Sequence, residues 1–87
     1  MATFPALLIT PERVVLEEDV SSVILRTDEG DVAFLAGHTP LIGSLVPGLV
    51  RIAHEDGSEQ RFEVTGGLVH VTPERVWVLV PEAEPAS

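Results

Sequence analysis

Two histidines and one run of carboxylates are the residues of this chain whose types could do chemistry. His38 sits between Gly37 and Pro40, and His70 alternates with Val69 and Val71. Either imidazole could serve as a general base, which needs a nucleophile or substrate within hydrogen-bond reach. No serine or threonine stands in a nucleophile-elbow context, so a hydrolase built on His38 or His70 lacks its second partner. The run Glu17-Glu18-Asp19 could hold a cation, but a charge run at a strand end reads first as a solvated turn. Gly66-Gly67 lacks the following helix and the Lys-Ser/Thr of a phosphate loop. With no cysteine and three scattered histidines (His38, His54, His70), no structural metal site or cofactor is expected.

The elements that must position these residues are punctuated by glycine and proline. From Glu29 to Gly48 the order is Gly30, Gly37, Pro40, Gly43, then Pro47-Gly48, with short apolar runs between. Glycine accepts positive φ and proline fixes φ near −65°, so the backbone is committed to one path. Asp31 and His38 are then presented in defined places. His38 has two readings: it locks its own turn through a backbone carbonyl, or it is presented to a partner. Gly66-Gly67 marks a sharp bend, a bulge or a close backbone approach.

Short apolar runs separated by turn formers every eight to twelve residues or so predict an all-β sandwich or barrel. Strands are expected over 4–10, 13–17, 22–27, 31–35, 41–46, 49–54, 60–65, 68–72 and 75–80, with no helix longer than a turn. Phe62 and Val64 alternate with Arg61, Glu63 and Thr65, the pattern of a half-exposed strand. Val76-Trp77-Val78-Leu79-Val80 does not alternate, so it should be covered on both faces, within the fold or by another subunit. Asp56-Gly57 predicts a tight hairpin. Thr10-Pro11-Glu12-Arg13 and Thr72-Pro73-Glu74-Arg75 predict two similar proline turns, each leading into valines. One domain is expected over 1–81, and Pro-Glu-Ala-Glu-Pro-Ala-Ser at the end reads as a flexible tail over 82–87.

Composition narrows the partners. The chain has 87 residues, five arginines, no lysine and fourteen acidic residues, for a net charge of −9. Nucleic acid and acidic membrane surfaces are disfavoured by that balance. No run is long enough to span a bilayer, so no lipid insertion is expected, and no basic, apolar leader opens the sequence. Yet apolar residues reach 45% and the mean hydropathy is +0.30. A domain this small buries only about 60–65% of its unfolded surface, so part of that apolar content should form a surface patch.

The ordered motifs together resemble the N-terminal β-sandwich of the epsilon subunits of F-type ATP synthases. The resemblance rests on Leu7-Leu8-Ile9-Thr10-Pro11-Glu12-Arg13, Glu18-Asp19-Val20-Ser21-Ser22-Val23, Glu29-Gly30-Asp31, Gly37-His38-Thr39-Pro40-Leu41, Pro47-Gly48, the 66–67 glycine pair and the last valine-rich strand. Ala33 and Ala36 stand where family members often have Gly and Pro. The resemblance implies a flattened sandwich or barrel of about ten short, mainly antiparallel strands. It further implies a non-catalytic rotor subunit on the cytoplasmic face of the membrane, linking γ to the c-ring. Asp31 would lie near the basic loops of the ring, and His38, Pro40 and Leu41 near γ. The family's helical hairpin lies outside the matched motifs, so no ATP site is expected. A free-standing β-sandwich adaptor for another protein is the rival reading.

Overall fold

A computed structural model describes residues 2–86. Ten strands run β1 (Phe4–Ile9), β2 (Val14–Val20), β3 (Ser22–Thr27), β4 (Gly30–Leu35), β5 (Leu41–Leu45), β6 (Gly48–Ala53), β7 (Glu59–Val64), β8 (Gly67–Val71), β9 (Val76–Leu79) and β10 (Ala83–Ala86). Among the described residues there is no helix. All pairings are antiparallel except β1 with β9.

The sheet folds over itself at β3. One side of β3 pairs with all of β4. Its first half, from Ser22 to Ile24, pairs with β6, and Thr27 at its end pairs with Leu45 of β5. Pro47-Gly48 carries the chain between those two partners, which is why a proline–glycine break was needed there. The two halves, β10-β7-β6-β3-β4 and β5-β8-β9-β1-β2, close over one core. Leu8, Val20, Val23, Val50, Val69 and Val76 are fully buried in it.

The turns follow their residues. Thr10 and Arg13 exchange backbone bonds at 3.0 and 3.3 Å, and Thr72 N–H donates to Arg75 O at 3.0 Å, with the Thr72 hydroxyl bonded in the same turn. At the Asp56-Gly57 hairpin, Gly57 has φ +92° and Asp56 Oδ1 accepts from Ser58 N–H at 2.8 Å.

Two expectations need correction. The segment expected to be a flexible tail over 82–87 contributes β10, registered from Ala83 opposite Val64 to Ala86 opposite Arg61; Ser87 lies outside the described residues. Proline misled the reading, because an edge strand has a free side on which a missing N–H does no harm. Glu17, Glu18 and Asp19 are not a turn: all three lie within β2, exposed along a strand whose Leu16 and Val20 are buried. The fold covers β9 on one face only, which leaves the other face for another subunit. Val76 and Val78 face the core, while Trp77 is half-buried and Leu79 is 39% exposed on the other side.

Candidate docking faces

Asp31 is the second residue of β4, one pair in from the turn of the β3–β4 hairpin. Gly30 takes φ +118°, and the Thr27 hydroxyl donates to Gly30 O at 3.0 Å while accepting Glu29 N–H at 3.1 Å. That turn fixes the register that sets Asp31 opposite Arg26. Arg26 Nε donates to Asp31 Oδ1 at 2.8 Å. Hydrogen bonding and charge from Arg26 hold the Asp31 carboxyl below the usual carboxylate range, and Asp31 in turn raises the guanidinium. The carboxylate singled out from sequence is thus already engaged within its own hairpin. Asp28 and Glu29, at the hairpin tip, line a groove with Ile42, Ser44 and Leu68.

His38 lies beyond the other end of β4. Asp31 and Leu35 are four residues apart in β4, about 13 Å at roughly 3.3 Å per residue, and His38 lies at the Leu35 end, so the two residues form separate sites. His38 Nδ1 is 2.7 Å from Leu35 O, and Nε2 is 2.6 Å from Thr72 O. The ring also meets Phe4 and Phe34 edge-on at 5.0 and 6.2 Å. The Leu35 contact is the local one that the turn-locking reading called for, and Thr72 O adds a long-range partner. Pro40 is exposed beside it, and Leu41 is 37% exposed.

Sequence reasoning located the apolar surplus but not its place. Register puts Ile42 opposite His70, His70 opposite Trp77, and Trp77 opposite Leu7. A second row runs Ser44, Leu68, Leu79, Ile9. These residues face away from the core and form one mostly apolar sheet face. A shallow groove of about 500 Å³ between Ile9, Leu68, Leu79 and Val80 deepens it. His70 stacks on Trp77 at 5.2 Å, and Arg75 lies 5.6 Å from the indole centroid. The non-alternating run of β9 was the signal for this face; its neighbours could not be known before the register was.

The outer side of β6 and β7 carries a charged cluster beside the 40% exposed Leu49. Arg51 on β6 faces Arg61 on β7, and Glu59 bridges both, accepting from Arg51 at 3.2 Å and from Arg61 at 2.8 Å. The outer side of β6 and β7 thus carries ion pairs where that of β5, β8, β9 and β1 is mostly apolar. Among the described residues, no three His, Asp or Glu side chains converge to hold a metal ion.

Known proteins share this architecture. The family model described as "ATP synthase, Delta/Epsilon chain, beta-sandwich domain" matches residues 3–86. Over 83 residues the chain is 48% identical to the ATP synthase epsilon chain of Desulforudis audaxviator, covering 95% of this chain and 60% of that one. It is 39% identical to the sodium-ion-specific ATP synthase epsilon chain of Propionigenium modestum, with 95% and 60% covered. A chain in the Euglena gracilis mitochondrial ATP synthase structure (OSCP/F1/c-ring) superposes with a TM-score of 0.92 at 30% identity, covering 98% of this chain and 54% of that one. The present chain thus spans about three-fifths of the length of these curated relatives.

Proposed function

Because the chain belongs to the ATP synthase delta/epsilon-chain β-sandwich family, we propose that it is a non-catalytic rotor component that links a γ-type subunit to the membrane c-ring. The observation that carries this reading is the division of the surface. A continuous apolar face on β5, β8, β9 and β1 adjoins the acidic β3–β4 hairpin tip. The apolar face supplies the buried centre that a stable protein contact needs, and the γ-type subunit is its occupant. The −9 chain favours partners with basic rims.

Asp31, with Asp28 and Glu29 beside it, would meet the basic loops of the ring. Pro40, Leu41 and the His38 segment would border the γ contact. The subunit would then sit peripherally on the cytoplasmic face of the membrane. It carries no nucleotide site in this reading.

Size-exclusion of the chain mixed with γ at micromolar concentration should give a stable complex. Leu68→Asp should weaken it at least tenfold, because a charge would be buried at the centre of the contact. Asp31→Lys should weaken c-ring association more than γ binding. No complex with γ would sink the proposal, and equal losses to both partners from Asp31→Lys would sink the division between the two sites.

A further inference from the structure

His38 holds two carbonyl oxygens at once, Leu35 O through Nδ1 at 2.7 Å and Thr72 O through Nε2 at 2.6 Å. A carbonyl only accepts, and a neutral imidazole has a single N–H. Both contacts are hydrogen bonds only when the ring carries two protons. With one proton gone, a nitrogen lone pair would face an oxygen lone pair at hydrogen-bond distance, and that contact must open.

We propose that His38 is a proton-dependent staple: the imidazolium fastens the 36–40 segment to the β8–β9 turn, and loss of one proton releases that turn. The released bond is the one to Thr72. The Leu35 contact closes a loop of three residues and the Thr72 contact one of thirty-four, so the local bond is the cheaper to keep. Phe4 and Phe34 pin the ring plane edge-on, which limits its swing toward a different acceptor.

The charged groups around the ring are few. Segment 36–40 has none besides His38, and the β1 and β4 residues that touch the ring (Phe4, Phe34 and Leu35) have none. The 72–75 turn brings Glu74 and Arg75, and among the described residues neither is ion-paired with His38. The groups facing the two ring nitrogens are carbonyl oxygens rather than carboxylates. The sign follows from the donor count: the ring carrying both protons makes the additional bond, so the staple is closed in that form and open once one proton is lost.

The consequence for docking rests on the function proposed above, whereas the staple stands on its two contacts alone. Leu35 and Leu41, 59% and 37% exposed, flank the stapled segment, so its opening would loosen the border of the γ contact.

Nitrogen NMR of the full chain with labelled imidazoles should show His38 protonated on both nitrogens at pH 5.5 and on Nδ1 alone at pH 8.5, a span that brackets ordinary histidine titration. The melting-temperature gap between wild type and His38→Gln should shrink by roughly 4–8 °C over the same span, the value of about one hydrogen bond in a domain of this size. A ring in the same protonation state at both pH values, or a neutral ring protonated on Nε2, overturns the staple. Binding to γ should be stronger at pH 5.5 than at 8.5 in wild type and level in His38→Gln. Absence of γ binding at both pH values would count against the function instead, and leave the NMR result to decide the staple.

Discussion

Gly67 shows how little freedom a single residue can have here. It takes φ +135° where β8 begins, and a Cβ on it would overlap the Leu79 carbonyl oxygen and approach Val80 Cγ1 to 2.8 Å. Gly30 is also left-handed, at φ +118°, but a Cβ there meets nothing within 4 Å. Gly67→Ala should therefore destabilise by about 3 kcal/mol or more, and Gly30→Ala by roughly 1 kcal/mol, in urea titrations. Equal losses would mean that backbone conformation alone matters at both. The sequence left the glycine pair as a bend, a bulge or a close approach, and did not show the carbonyl that it meets. Asp31 and His38 divide the same way. Their loop positions followed from local glycine and proline, whereas Arg26 as one partner and the Thr72 carbonyl as the other depend on strand register and on a turn 34 residues away.

Among the elements, nine strands were legible because apolar runs and turn formers mark them locally, and Ser22–Thr27 was bounded without error. β10 was not, since Ala83-Glu84-Pro85-Ala86 has no strand pattern of its own. It exists because β7 offers an unpaired edge whose other side is taken by β6. A chain ending at Pro81 would leave that edge open. It should lose about 1–2 kcal/mol, seen as a melting point lower by roughly 4–15 °C, and should self-associate more in sedimentation. Unchanged melting would show that β10 adds nothing to the sheet. β2 teaches the complementary lesson: three consecutive acids look like a turn, yet on an edge strand Glu17 and Asp19 point outward while Glu18, on the side of Leu16 and Val20, stays exposed beside His54.

Across the whole molecule, charge is distributed by face. Hydrogen bonds from Arg51 and Arg61 to Glu59, and from Ser58 to Asp56, hold those two carboxyls below the usual range, as Arg26 holds Asp31. A folded-state value below the unfolded one stabilises at neutral pH, and that contribution is lost as pH falls through the folded value. The urea midpoint of wild type should exceed that of Arg51→Gln at pH 7, and the two should converge near about pH 2.5, below ordinary carboxylate titration. A gap that persists in acid would assign the effect of Arg51 to packing rather than to Glu59. The sum of protonation effects in the wild type alone is less telling, because acid also relieves repulsion in a −9 chain.

The sequence by itself determined the all-β class, most strand positions, the turn geometries, and a surplus of apolar surface beside an acidic charge. All of these are set by neighbours a few residues apart or by composition. Only the tertiary structure decided which residues share a face. Register aligned Ile42, His70, Trp77 and Leu7 in one row and Ser44, Leu68, Leu79 and Ile9 in the next, and it placed Arg26 on Asp31 and His38 on Thr72. The reason is physical. A strand's pattern fixes which side chains alternate, while the partner each one meets depends on a pairing that shifts the whole face if it slips by one residue.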